Sequence, residues 1–175
     1  MFIRKAPRLD TWDYASPGLY FVTIVTQDRI HRFGYVRAGL RAGPAPHVVL
    51  SRAGEVIDFR LRQIELRFKD VSLDEYVIMP NHMHAIVRIH EHANAGPARR
   101  PAPTRVALPD VMYWFKSITT NDYRRGVLRG SFAPYNKRLW QRSYHDHIIR
   151  DDEDLNRIRQ YILDNPAKWD EDEYR

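Results

Sequence analysis

Apolar and polar residues alternate with two different periods along the chain, and each change of period marks a predicted element. Residues 18–29 are rich in β-branched and aromatic side chains and follow a Ser-Pro-Gly turn, which predicts a strand. Residues 51–68 begin with Ser51, a suitable N-cap, and repeat apolar side chains at i, i+4 and i+7, which predicts a helix. Residues 71–79 and 82–89 are two further predicted strands, separated by a Pro-Asn turn.

The second half of the chain continues this succession of helix and strand. Residues 108–127 have a proline in the first turn and one apolar face, which predicts a helix. Residues 138–149 are predicted to form a fourth strand, and residues 151–169 to form a helix that starts with acids and ends at its Asn-Pro pair. Residues 30–50 and 91–107 contain several Gly and Pro residues, so we expect a loop or small hairpin in the first and a surface connection in the second.

The order β-α-β-β-α-β followed by a terminal helix predicts the ferredoxin-like split βαβ sandwich, an α+β fold with an antiparallel sheet. We expect one domain over residues 1–175, with its core over about 18–169. The first two helices should cover one face of the sheet. The other face should be free for a ligand or for the terminal helix.

Composition narrows the class of protein without selecting one. The chain has 43% hydrophobic residues, no cysteine and a net charge of +6. A sizeable core is therefore possible, and disulfides and thiolate metal sites are excluded. No segment predicts a membrane span or a secretory signal, so we expect a cytoplasmic protein. The excess of arginine favours a nucleic-acid partner, although a basic surface that only aids solubility would have the same charge.

Two histidines stand one residue apart at the start of the third predicted strand. Alternate side chains of a strand point to the same face, so His82 and His84 should share a face with Ile86. They would be roughly 6.6 Å apart along the strand, close enough to lean onto one divalent cation such as Mg²⁺ or Mn²⁺. The alternative is a pair of ordinary polar residues on a half-exposed strand.

A second pair of candidate residues lies on the terminal predicted helix. Tyr161 and Asn165 are spaced i and i+4, which places them on one helix face. A tyrosine beside a cation can act as a nucleophile toward phosphorus, and the amide oxygen of Asn165 is a suitable third ligand for a hard cation. The alternative for Tyr161, one of ten tyrosines, is an ordinary amphipathic core residue.

Two long motifs resemble a known family. The stretches "YVIMPNHMHAIVRI" and "WQRSYHDHIIRDDEDLNRIRQYILDNPAKW" are similar to those of the REP-associated tyrosine transposases. These are relatives of the single-tyrosine insertion-sequence transposases within the HUH endonuclease group. The first predicted strand, "SRAGEVIDFRLRQI" and "FKS" also resemble the family, so the resemblance covers most of residues 18–169.

The resemblance implies a reaction and roles for four residues. His82 and His84 match the paired metal-binding histidines, Tyr161 the catalytic tyrosine, and Asn165 the polar residue that completes the metal site. The implied activity is Mg²⁺- or Mn²⁺-dependent cleavage of single-stranded DNA beside a hairpin. Tyr161 would form a 5′-phosphotyrosine link, which a second strand's hydroxyl would then attack. The partner is hairpin or single-stranded DNA, and the protein is expected to be a monomer or a homodimer.

A second His-x-His pair, His145 and His147, follows in the fourth predicted strand. We expect a structural hydrogen bond in the core, or a DNA-positioning role, for His147, and a surface position for His145. The following residues are candidates for DNA contacts, through phosphates for the arginines and base stacking for the tryptophan: Arg99, Arg100, Arg105, Arg124, Arg125 and Trp140. Solvated charges, and a buried Trp140 that anchors the sheet, are the alternatives.

Two other functions remain compatible with the sequence. One is a non-catalytic nucleic-acid-binding module on the same ferredoxin-like sheet, although such modules usually have aromatic residues where this chain has histidines. The other is a small metallohydrolase in which a bound water is the nucleophile and Tyr161 is structural.

Overall fold

The structure is a computed structural model, which describes residues 12–39, 45–91 and 105–175. The described chain forms a four-stranded antiparallel sheet with helices on both faces, and a separate two-stranded hairpin. In chain order the elements are β1 (Gly18–Val25), β2 (Gly34–Arg37), β3 (His47–Leu50), α1 (Arg52–Arg67), β4 (Val71–Ile78), β5 (His82–Ile89), α2 (Leu108–Leu128), β6 (His145–Ile149), α3 (Asp152–Asp164) and a 3₁₀ segment (Asn165–Glu171).

The main sheet has the strand order β4-β5-β1-β6, and every neighbouring pair is antiparallel. The α+β class and the antiparallel sheet predicted from the sequence are therefore confirmed. Strands β1 and β5 are central, and both are buried along most of their length. Their nearly continuous apolar sequences follow from this position, because both faces of each strand are covered.

The two faces of the sheet contain different apolar clusters. Met83, Ala85 and Val87 face α1 and α2 in the larger cluster, whereas Ile86 packs with α3 residues such as Ile158 in the smaller one. The alternation predicted for β5 is therefore confirmed, and α3 takes the face that the sequence left open. His82 and His84 lie on the α3 face, because they alternate with Met83 and Ala85.

Side-chain caps place the helix starts where the sequence predicts them. The Ser51 hydroxyl accepts a hydrogen bond from the Gly54 N–H at 3.1 Å at the start of α1. Asp151 does the same for α3 by accepting from the Asp154 N–H at 2.8 Å. The α-helix ends at Asp164, before the Asn-Pro pair, and the chain continues as the 3₁₀ segment.

One predicted strand differs in the structure. The fourth strand is shorter than residues 138–149, because the Lys116 ammonium draws the carbonyls of Gln141 and Arg142 toward α2, at 2.6 and 2.8 Å. Only an isolated bridge between Thr26 and Trp140 precedes β6. The choice between loop and hairpin for residues 30–50 resolves as the hairpin β2-β3. Most of the predicted connection over 91–107 lies outside the described residues.

Gly54 permits the close approach of α1 to the chain before the hairpin. A methyl group on Gly54 would lie 2.0 Å from the Phe33 carbonyl oxygen, which accepts a hydrogen bond from the Ser51 N–H at 2.8 Å. Gly54→Ala should therefore lower the free energy of unfolding by about 1–3 kcal/mol in urea denaturation. Gly18→Ala is the matched control, since its methyl meets nothing closer than 3.7 Å. Equal effects of the two substitutions would contradict the packing argument.

Candidate metal and tyrosine site

The two imidazoles of β5 lie side by side and out of contact with solvent. His82 is 0% exposed and His84 is 1% exposed. Their Nε2 atoms are 3.0 Å apart, so both rings lean toward one point from their places on the strand. The predicted convergence of the pair is confirmed, and the alternative of a half-exposed polar pair is wrong.

Each imidazole is held by a hydrogen bond at Nδ1, the ring nitrogen that does not face the other histidine. His82 Nδ1 lies 2.8 Å from Asn81 Oδ1. The Asn81 amide is oriented by its NH₂ group, which donates to the carbonyls of Arg29 at 3.0 Å and Tyr174 at 2.6 Å. Asn81 Oδ1 is thus an acceptor, His82 Nδ1 bears the proton, and the lone pair of His82 is on Nε2. His84 Nδ1 is held at 2.8 Å by the Thr23 hydroxyl.

Burial keeps both histidines neutral. It lowers the pKa of His84 to about 3. The pKa of His82 is also well below its ordinary value, because of burial and of the neighbouring His84 and Arg29. A neutral imidazole is the form that binds a metal, so both rings are ready ligands at neutral pH.

Asp172 is the third member of the cluster. Its Oδ2 lies 3.6 Å from His82 Nε2, and one ligand atom from each of His82, His84 and Asp172 falls within 4.8 Å of the others. Asp172 Oδ2 is buried and accepts no hydrogen bond, and burial raises the pKa of this carboxyl group. Sequence reasoning missed Asp172, which lies beyond the last predicted helix among several other acids.

Tyr161 approaches the same point from α3. Its hydroxyl is 3.5 Å from His84 Nε2, and its ring packs edge-on against Phe21 at a centroid distance of 5.9 Å. Burial, and then the negative charges of Asp172 and Glu173, raise the pKa of Tyr161 to about 12. The phenol is therefore protonated at neutral pH in this arrangement, beside the acceptor atoms of the cluster.

Asn165 is buried at the first position after α3. Its side chain contacts both Tyr161 and Asp172 and lowers the pKa of each, against the larger effect of burial. Its Oδ1 accepts no hydrogen bond. Asn165 as a metal ligand stays a prediction, but its buried, unpaired oxygen has the chemistry that this role requires.

The donor set fits a divalent cation. The His82 Nε2 lone pair, Asp172 Oδ2 and Asn165 Oδ1 are buried acceptors, and neither oxygen has a hydrogen-bond donor. Buried oxygens without donors are costly, and a cation held by His82, His84 and Asp172 would satisfy Asp172 Oδ2. Imidazole with carboxylate and amide oxygens suits Mn²⁺ and, with more oxygen ligands, Mg²⁺.

The C-terminal residues cover this cluster. The ring of Tyr174 is 5.0 Å from that of His82 and 6.1 Å from that of His84, between centroids. Its carbonyl accepts from Asn81, and the Glu173 carbonyl accepts from Arg29 Nη1 at 3.0 Å. A phosphodiester can reach the imidazoles only if this segment moves.

The second histidine pair divides between two roles. Thr23 is in register with both His84 and His145, so His145 lies on the site face of β6. It is half-buried, and its ring is 6.2 Å from that of Tyr174, so the predicted surface position is wrong. His147 Nε2 is 2.6 Å from Asp154 Oδ2, a structural hydrogen bond between β6 and α3, although His147 is partly exposed and not in the core.

Among the described residues, the predicted DNA contacts on α2 lie away from the cluster. Arg99 and Arg100 lie outside the described residues, and Arg105 is exposed. Arg124 and Arg125 are exposed on α2, on the opposite face of the sheet from the histidines. Their contacts with phosphate stay predictions.

Trp140 is buried and anchors the sheet. It is 3% exposed, its Nε1 donates to the Thr119 hydroxyl at 2.9 Å, and its ring packs against Phe33 and Phe115. The prediction that Trp140 stacks on a base is therefore not supported, because neither face of its indole is accessible.

Comparison with known proteins identifies relatives over most of the chain. An uncharacterised protein of Haemophilus influenzae is 32% identical over 176 residues, 97% of this chain and 92% of that protein. A second H. influenzae protein, provisionally assigned as a REP-associated tyrosine transposase, is 26% identical over 89% of this chain and 74% of its own length. No family model matches the chain.

A solved structure has a similar fold. It is a REP-associated tyrosine transposase bound to a REP hairpin, with a TM-score of 0.51 and 16% identity over 94% of this chain and 74% of that one. The chain is therefore similar in sequence to one provisionally assigned REP-associated tyrosine transposase and similar in fold to a solved member of that family. Among the described helices, none is long and apolar enough to span a membrane.

The buried neutral histidines should make stability depend on pH. Between pH 6.5 and 3 the unfolded chain binds a proton at residue 84 that the folded chain does not, so stability falls as the pH falls. In a chelator, His84 alone should lower the free energy of unfolding by about 2 kcal/mol between pH 7 and pH 5. His84→Gln should reduce this dependence in denaturant titrations, whereas His47→Gln, at an exposed position, should not. An unchanged dependence in His84→Gln would show that His84 is not buried in its neutral form.

Proposed function

We propose that this protein cleaves and rejoins single-stranded DNA beside a hairpin, with Tyr161 as the nucleophile and Mg²⁺ or Mn²⁺ as the cofactor. The supporting observation is the position of the Tyr161 hydroxyl, which lies 3.5 Å from Nε2 of the neutral His84. The Nε2 atom of His82 is in turn 3.0 Å from that of His84. The hairpin as substrate is inferred from the related transposase that binds a REP hairpin.

The activity would belong to a single domain of the ferredoxin-like split βαβ type. The strand order β4-β5-β1-β6, with α1 and α2 on one face, supports this assignment. The crossover order brings β5 and β1 to the centre of the sheet. Histidines on β5 then face α3, where Tyr161 lies.

The cation would be held by His82 Nε2, His84 Nε2 and the Asn165 amide oxygen, with Asp172 as a further acceptor. When bound, it supplies positive charge that lowers the pKa of a nearby phenol and polarises a phosphate. Asn81 and Thr23 orient the two imidazoles through their Nδ1 atoms, at 2.8 Å in each case. Such supporting hydrogen bonds fix the ring positions of metal-binding histidines.

The chemical step is a transesterification. The Tyr161 oxygen forms a bond to phosphorus, and its proton leaves to solvent. The bond between phosphorus and the 3′ oxygen breaks, and this oxygen keeps the electron pair and takes up a proton. The product is a 5′-phosphotyrosine, and a 3′-hydroxyl of another strand can reverse the reaction to join new ends. One phosphoester replaces another in each step, so no nucleotide hydrolysis is required.

Tyr161→Phe tests the nucleophile. With Mn²⁺ and a 3′-labelled hairpin oligonucleotide that has an unpaired tail, the wild type should form a covalent adduct, visible on a denaturing gel. Tyr161→Phe lacks the oxygen that attacks and should form none, whereas Tyr35→Phe, on the exposed hairpin, should behave as the wild type. Cleavage that survives in Tyr161→Phe would instead indicate a metallohydrolase. Binding without cleavage by the wild type would indicate a non-catalytic module.

Removal of the buried carboxylate tests the metal site. Asp172→Asn should weaken Mn²⁺ binding at least about tenfold in calorimetry or electron paramagnetic resonance, because a ligand atom loses its charge. Asp170→Asn is the matched control, since the Asp170 side chain is 84% exposed and stands two residues away. Unchanged affinity in Asp172→Asn would remove this residue from the ligand set. Asn165→Ala would then test the remaining oxygen.

A further inference from the structure

A groove away from the histidine cluster lies between α2 and the segment that leads into β6. Its volume is about 760 Å³, and residues 140–142 and Tyr144 form one wall. This volume is in the range of sites that hold a small organic ligand, about 300–1,000 Å³, and so suits one or two nucleotide units. The groove is separate from the histidine cluster, because none of the cluster residues lines it.

The lining of the groove is basic and polar. Lys116 and Arg142 contribute positive charge, and Ser117, Thr120 and Asn121 contribute hydroxyl and amide groups. None of the described residues that line it has a carboxylate. Arg142 is exposed and has no carboxylate partner within the described ranges. The groove therefore complements an anion with many acceptor oxygens, which is the chemistry of a phosphodiester chain.

An exposed aromatic ring stands at the rim. Tyr113 on α2 is 77% exposed and belongs to neither core cluster, so its ring does not contribute to the packing of the core. A ring exposed beside positive charges offers a stacking surface to a base. Bases in a duplex already stack on one another, so this ring favours an unpaired base.

The wall of the groove is held in place by the protein itself. The Lys116 ammonium donates to the carbonyls of Gln141 and Arg142 at 2.6 and 2.8 Å, which ties the wall to α2. The Gln141 N–H donates to the Val25 carbonyl at 2.9 Å. A groove with a fixed wall needs little ordering when a ligand binds.

Backbone pairing relates the wall of the groove to the strand that carries the histidines. Val25 is in register with His82 across β1 and β5, and Gln141 is hydrogen-bonded to Val25 from the other side. The backbones of Gln141 and His82 are therefore two strand spacings apart, roughly 10 Å in the plane of the sheet.

We propose that this groove binds the unpaired strand of the DNA substrate, with a base stacked on Tyr113 and phosphates contacted by Arg142 and Lys116. The proposal rests on the proposed function for the identity of the nucleic acid. It adds a surface beside α2, separate from the histidine cluster, that would hold this strand.

Binding assays on the full chain test the groove separately from catalysis. A labelled hairpin with an unpaired tail is titrated with protein in a chelator, and fluorescence anisotropy gives the affinity at several salt concentrations. Tyr113→Ala should bind at least about fivefold more weakly. Arg142→Gln should reduce the slope of log affinity against log salt by about 0.7, the value for one single-strand phosphate contact.

Matched controls and a second oligonucleotide decide the outcome. Tyr35→Ala and Arg62→Gln remove an exposed aromatic ring and one positive charge elsewhere and should bind as the wild type. A hairpin without the tail should bind Tyr113→Ala and the wild type equally, and circular dichroism checks that each variant is folded. Equal affinity of Tyr113→Ala and the wild type for the tailed hairpin, or an equal loss with the tail-less one, would overturn the groove proposal. The proposed function fails separately if the wild type forms no covalent adduct.

Discussion

The candidate site depends on the burial of two neutral imidazoles, those of His82 and His84, whose Nε2 atoms face each other on a central strand. The Nε2 atoms of His82 and His84 are 3.0 Å apart, and Asp172 Oδ2 lies 3.6 Å from the first of them. Burial of such groups is unfavourable unless each is paired. The protein pairs the Nδ1 atoms through Asn81 and Thr23, whereas the nearby buried oxygens Asp172 Oδ2 and Asn165 Oδ1 have no hydrogen-bond donor. A cation is the simplest group that satisfies several acceptors at one point.

The proposed cation and the proposed nucleophile, Tyr161, would be electrostatically coupled. Burial raises the pKa of Tyr161 to about 12, and the carboxylates of Asp172 and Glu173 add to the effect. The negative charge that would attract a cation therefore also raises the pKa of Tyr161, and the phenol stays protonated when no cation is bound. A positive charge at the cluster would offset both effects together. Chemistry at this tyrosine would consequently follow occupancy of the metal site.

Local periodicity predicted the parts of the site that lie on regular elements. The period of two on β5 placed His82 and His84 on one face, and the helical spacing placed Tyr161 and Asn165 together. Asp172 could not be predicted in this way, because it reaches the cluster after a 3₁₀ segment interrupted at Lys168. The position of His145 depended on the register of β6 against β1, which one sequence does not encode by spacing alone. The burial of Trp140 likewise depends on partners far away in the chain, among them Phe33.

The sheet separates two tasks that the proposed strand-transfer reaction must combine. Its α3 face holds acidic and neutral groups that can bind a cation, while the groove beside α2 is basic and can bind a phosphate chain. If both sets of charges shared one pocket, the lysine and arginine would compete with the cation for Asp172. Placing them on opposite sides of the edge near β6 avoids this competition and would still let one strand reach both. His145 lies on the site face of β6, so a strand that rounds this edge would pass it before it reached Tyr161.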